Sequence, residues 1–198
     1  MTAKMFGHFL AAVALSTAAV SADARFTEVK DPVAKVAKKT MSVTPAGAWN
    51  KSSSRPSKRA ESWTIDGLAL NDLTFFGAIK DGEPLFREQH KKLKPLPKFS
   101  ASMLPTDLAE FVESSARNLV DTPLFTTEAV EPATLGGHPG VRMRFRYTAS
   151  DELERKGEAV AAIVAGKLYV VSFDAPAIYY FDKDIARVRQ MMASVTIP

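Results

Sequence analysis

"EAVAAIVAGKLYVVSFDAP", Glu158–Pro176, decides the fold. Two apolar, β-rich runs, 158–164 and 167–173, meet across Ala165-Gly166. So short a connection between such runs, with glycine in it, marks a hairpin. Ala161, Ile163, Leu168 and Val170 can then pack together on one face. A hairpin pairs its strands antiparallel, so the sheet grows through short turns rather than crossover helices.

The strand before the hairpin is "VRMRFRYTA", Val141–Ala149. Val141, Met143, Phe145 and Tyr147 take one parity, and Arg142, Arg144 and Arg146 the other. Alternate residues of a strand face opposite sides of its sheet. The guanidiniums therefore share a face and span about 13 Å. Their planar forks suit carboxylate or phosphate, so the row is a candidate anion-binding surface. Equally, Glu154 or Glu158 can answer it from the neighbouring strand. Gly136-Gly137 turns the chain into this strand from another near Phe125–Val130.

Helical spacing appears twice. In "TDLAEFVESSARNLV", 106–120, Leu108, Phe111, Val112, Ser115 and Leu119 form one stripe. Thr106 is the expected cap, Asp107 and Glu110 lie in the first turn, and Glu113–Arg117 is an i,i+4 pair. In "FDKDIARVRQMMASV", 181–195, Ile185, Val188 and Met192 form the buried stripe, with Met191 beside it.

The N-terminal half is more broken. "LNDLTFFGAIKDGEPLF" holds a strand apolar on both parities, hence central and covered on both sides. Trp63 and Ile65 share a face of a strand closed by Asp66-Gly67. Met41 and Val43 begin another, while 50–58 reads as an exposed loop. The segment 87–98, with Pro95 and Pro97, reads as a basic loop. The order predicts an α+β domain: a largely antiparallel sheet of about six to seven strands with helices packed on it. Residues 1–24 are the expected signal peptide, 25–58 a basic lead-in and loop, and 59–198 the domain; the strand at 41–44 is able to join its sheet.

The signal peptide rests on Lys4, the apolar run from Phe9 to Val20 and the small-x-small site Ala22-Asp23-Ala24. That run is shorter than the ~20 residues a spanning helix needs. Cleavage after Ala24 would export the chain to the periplasm or beyond, with no transmembrane span left. No cysteine occurs, so disulfides, thiolate metal sites and cysteine lipidation are excluded. The net charge of +4 is uneven. Residues 30–59 hold eight basic groups, Lys38 and Lys39 among them, against Asp31; 87–98 holds five against Glu88. Such a division steers a protein toward anionic surfaces. Peripheral contact with a membrane or polysaccharide is one expectation; no nucleic-acid motif is present.

From the "GGHPG" turn, 136–140, through the hairpin to "YYFDKDIARVRQMMASV", 179–195, the chain resembles the PsbP-like fold. That fold is shared by a photosystem accessory protein, a Ran-binding nuclear transport factor and many small exported bacterial proteins. The resemblance runs over about 104–197. It implies a binding or assembly module rather than an enzyme, and no functional residue transfers with it.

The residues carry little overt chemistry. His138 sits in the glycine turn and His90 among lysines, neither with a second ligand at metal spacing. No nucleophile elbow or phosphate loop occurs. Asp66, Asp72, Asp81, Asp151, Glu152 and Asp174 read as turn residues, although paired carboxylates can do acid–base work. The expected function is thus an exported, non-enzymatic binding or assembly module of the cell envelope, without cofactor or metal. Its partner would be an envelope protein or an anionic surface. Candidate contacts are Arg142, Arg144, Arg146, His138, Lys38 and Lys39. An anionic lipid or polysaccharide binder using the arginine face is one alternative, and a hydrolase is another.

Overall fold

The computed structural model describes residues 25–88, 95–120 and 124–198. The expected signal peptide and His90 lie outside them. Eight antiparallel strands form the main sheet: β1 (Phe26–Glu28), β4 (Asn50–Ser52), β5 (Ala60–Thr64), β6 (Asp72–Ile79), β7 (Phe125–Leu135), β8 (His138–Thr148), β9 (Glu154–Val164) and β10 (Lys167–Pro176). Their spatial order is β1-β4-β5-β6-β10-β9-β8-β7. A second, two-stranded sheet pairs β2 (Ala34–Val36) with β3 (Met41–Val43). The helices are α1 (Pro105–Val120) and α2 (Tyr180–Ala193). The α+β class and the antiparallel sheet are as the sequence predicts.

The sheet divides two cores. On one side Leu73, Phe75, Val171 and Phe173 pack with Val188, Met191 and Met192 of α2 and with the β2–β3 pair. On the other, Phe76, Val141, Met143, Phe145, Leu168 and Val170 pack with Leu108, Phe111 and Val112 of α1. Leu85 and Phe99, from the segment between β6 and α1, complete that second core. β6 and β10 are the central neighbours, buried along nearly their whole length because each parity meets a different core. The anchor hairpin is present, with Leu168 opposite Ile163 and Val170 opposite Ala161.

The differences fall where the pattern is short or polar. The lead-in 25–58 supplies two strands of the main sheet, β1 and β4. Neither "FTE" nor "NKS" alternates in hydrophobicity, so pairing alone defines them. Asn50–Ser52, expected in a loop, is thus a strand behind the fully buried Trp49. The strand expected at 41–44 is β3, and its partner is β2, not the main sheet. Helix α1 starts at Pro105, so Thr106 is inside it. The Asp107 carboxylate accepts the Leu104 N–H at 2.9 Å and closes that end.

One close approach shapes the α1 side. Gly157 of β9 lies opposite Phe145 of β8, and a Cβ on it would stand 2.1 Å from the Phe145 ring. The missing side chain lets that ring lie flat on the sheet, stacked with Phe125 at 5.2 Å. Gly157→Ala should lower stability by about 1–3 kcal/mol through overpacking. Urea unfolding measures it, and an unchanged midpoint would contradict the packing described.

Candidate functional site

The α1-side core does not fill its face of the sheet. At the end of β6 and β10 it leaves a cavity of about 470 Å³. Phe76, Phe86, Phe125 and Phe145 line it with Ala116 and Leu119 of α1. Its polar lining is Asp72, Thr74, Tyr147, Ser150, Asp151, Arg155, Ser172 and Asp174. Strand parity explains the mixture. Asp72, Thr74 and Phe76 share a face of β6, as Ser172 and Asp174 do on β10. Each strand passes from apolar to polar as it leaves the shelter of α1.

Asp72 and Asp174 stand directly opposite one another in the β6–β10 register. Directly paired positions in antiparallel strands have Cα atoms about 4.5–5.5 Å apart. Two carboxyl groups therefore share the floor of a half-enclosed hollow. The Thr74 hydroxyl donates to Asp72 Oδ1 at 2.7 Å and is itself bonded to Ser62 Oγ. The Tyr147 hydroxyl donates to Asp174 Oδ2 at 2.8 Å. Among the described residues, no cation forms an ion pair with either carboxylate. Arg155 is the nearby candidate, but its ends are committed to Asp151 Oδ2 at 3.0 Å and the Ala69 carbonyl at 2.8 Å.

The rim beside Ala69 is held by Asn71, which is fully buried. Asn71 Oδ1 accepts from the Thr64 hydroxyl and from the backbone N–H groups of Ile65 and Asp66. Its Nδ2 donates to Asp66 and to Asp184 of α2. One amide thus ties the 65–71 turn, with Leu68 and Ala69 of the cavity rim, to the helix on the opposite face.

The environment raises both acids. Burial, then repulsion from Asp174, pushes Asp72 up to about 7, against the pull of the Thr74 and Ser62 hydroxyls. Burial also raises Asp174, opposed by the Tyr147 hydrogen bond and the Arg155 charge. Burial and the adjacent Asp174 charge push the Tyr147 phenol above its ordinary value. The sequence reading of Asp72 and Asp174 as turn residues is therefore corrected: both are strand residues, and they converge. Their parity with Thr74 and Ser172 was the available signal; their mutual register was not.

The arginine row lies on the other face. Arg142 Nε is 3.3 Å from Glu158 and its Nη1 4.0 Å from Glu131. Arg146 bonds Glu128 at 3.0 Å and Glu154 at 2.9 Å. Glu158 is fully buried and also takes a forked contact from Arg189 of α2, with Nη2 at 2.6 Å. Arg144 is exposed and has no ion pair among the described residues. His138 opens β8 opposite Leu135, after Gly136 and Gly137 at φ +60° and +80°. It does not line the cavity. Lys38 and Lys39 are exposed in the β2–β3 turn, where Ala37, Lys38 and Lys39 all have positive φ. The described contacts do not join His138, Lys38 and Lys39 to the arginine row.

Stability should follow the Asp72 proton. A carboxyl whose pKa is higher folded than unfolded binds a proton preferentially in the native state. Its stabilisation is full below the ordinary 3.8 and is lost as pH climbs to about 7. Asp72→Asn should therefore raise unfolding free energy at pH 8 by roughly 1–3 kcal/mol and add little at about pH 3.5. Denaturant melts at both pH values check this; an equal gain at the two would contradict it.

Comparison with known proteins bears on the fold. No family model and no curated protein matches the chain. Among solved structures, the solution structure of cyanobacterial PsbP (CyanoP) from Synechocystis sp. PCC 6803 is similar with a TM-score of 0.53 at 13% identity, over 93% of this chain and 99% of that one. PA94 of Pseudomonas aeruginosa, described as a protein of unknown function and putative regulator, gives 0.44 at 8% identity, over 76% and 94%. LpqN of Mycobacterium tuberculosis, described as involved in cell envelope biogenesis, gives 0.37 at 13%, over 89% and 92%. With its two-core antiparallel sheet and near-complete overlap with CyanoP, the chain has the PsbP-like fold.

Proposed function

We propose that this chain is an exported, non-enzymatic binding module of the cell envelope that holds a small, largely apolar ligand in the Asp72–Asp174 cavity. The observation that carries the reading is the cavity itself. About 470 Å³ of space, walled by phenylalanine rings and floored by a few converging polar groups, is the usual form of a small-ligand site. Export is supported by the charged, apolar and small-residue sequence of 1–24. No described helix is long and apolar enough to cross a membrane.

The arginine face supports an anionic-surface role less well, because Arg142 and Arg146 already meet carboxylates of the same protein. Hydrolysis is the second reading, favoured by the converging carboxyls, whose unequal surroundings suit acid–base chemistry. Turnover of a substrate by the wild-type protein and its loss in Asp174→Asn would establish that reading over the first.

N-phenyl-1-naphthylamine, a neutral aromatic probe, tests the cavity. Its fluorescence should rise saturably with the wild-type protein. Ala116→Trp, which fills the cavity from α1, should abolish the rise while preserving the melting temperature. No saturable signal, or an equal one in the filled variant, would overturn the binding-module reading.

A further inference from the structure

The cavity's charge is out of balance in a way that selects its occupant. Five titratable groups face it: Asp72 from β6, Asp174 from β10, Tyr147 from β8, Arg155 from β9 and Asp151 from the turn before β9. From α1 come only Ala116 and Leu119, and the remaining walls are apolar or hydroxyl-bearing residues that carry no charge. Arg155 is ion-paired to Asp151 at 3.0 Å, and its charge offsets that of Asp174 only in part, since Asp174 stays raised. What is left is a carboxyl pair at directly opposed strand positions, served by hydroxyl donors alone. Asp174 Oδ1 accepts no hydrogen bond among the described residues.

Resting on the cavity reading above, we propose that the ligand is an organic cation, its ammonium head seated between Asp72 and Asp174 and its apolar body against the phenylalanine walls. Two features favour this occupant, and two count against the alternatives. An ammonium group supplies the direct ion pair that neither carboxyl has among the described residues, and charge-assisted hydrogen bonds are the strong ones. The phenylalanine rings of the same cavity cover the apolar body that such a ligand carries. A hard divalent cation needs about six or more oxygen ligands. The described residues hold no cluster of three or more His, Cys, Asp or Glu fit for a metal, and the walls here are ring carbon. Above about pH 7, where both acids are ionised, an anionic ligand would meet the pair as a third like charge.

The same groups make uptake depend on pH. Seating a cation requires the pair in its ionised form, whereas without one Asp72 holds its proton up to about pH 7. Binding therefore strengthens as pH rises through that value and releases a proton from the site.

The test uses three eight-carbon probes that differ in the head group: octylammonium, 1-octanol and octanoate. Each competes with N-phenyl-1-naphthylamine on the full mature chain. At pH 8 octylammonium should displace the probe at roughly ten- to a hundredfold lower concentration than 1-octanol, with octanoate weakest. Below about pH 6 that preference should shrink by about tenfold per unit. Asp72→Asn and Asp174→Asn should each remove about tenfold or more of it, and saturable N-phenyl-1-naphthylamine binding by each variant is the check that its cavity has folded. Octanol or octanoate binding as tightly as octylammonium would overturn the cation proposal but keep the cavity. So would a preference that survives both substitutions, or displacement of octylammonium by an equal concentration of calcium. Failure of every probe to bind would remove both.

Discussion

The antiparallel pairing of β6 with β10 is the constraint on which the rest depends. These strands occupy the middle of the sheet, so their backbone groups are shielded and must find partners in each other and in the flanking β5 and β9. Their side chains must satisfy two cores at once, Leu73 and Phe173 on one face, Phe76 and Val170 on the other. That double burial holds the register tightly, because a one-residue slip would exchange the faces of the whole strand. The same register brings Asp72 to Asp174. Two carboxyls in a shared hollow are therefore a by-product of hydrophobic pairing further along the strands. The interaction that costs stability at the site is held in place by the one that supplies it in the core.

The second organising feature is polar and links opposite sides of the sheet. Asn71 precedes β6 and hydrogen-bonds both the turn it ends and Asp184 of α2. Glu158 of β9 does a related task, gripping Arg189 of α2. Both side chains are fully buried, where an unpartnered polar group is costly and a partnered one specifies position. They seat α2 at two points and thereby steady the strands and the turn that border the cavity from behind. A cavity rim made of loop residues such as Leu68 and Ala69 owes its shape to this anchoring.

Much of the architecture was legible because it rests on local periodicity. The hairpin at 158–176, the alternating strand at 141–149 and both helices carry patterns that no other local structure satisfies as well. The central strand could be recognised from "LTFF", apolar on both parities. β1, β4 and the partner of β3 could not, since three-residue strands hold no period to read and take their pairing from distant neighbours. The candidate contacts show the same split. Alternation put Arg142, Arg144 and Arg146 on one face, and Glu154 and Glu158 were the foreseeable answers to them. That Glu158 would be shared with Arg189, 31 residues away, depended on where α2 came to rest.

Sequence alone determined the chemical inventory and the local grammar: no thiols, an export-like leader pattern, two amphipathic helices and a hairpin-built sheet. Those follow from residue identity and short spacing, which act within a turn or a strand. Tertiary structure decided the site, because Asp72 and Asp174 are 102 residues apart and each is unremarkable by itself. Their proximity exists only once β10 has folded back against β6, and their raised pKa values only once the surrounding rings have displaced water.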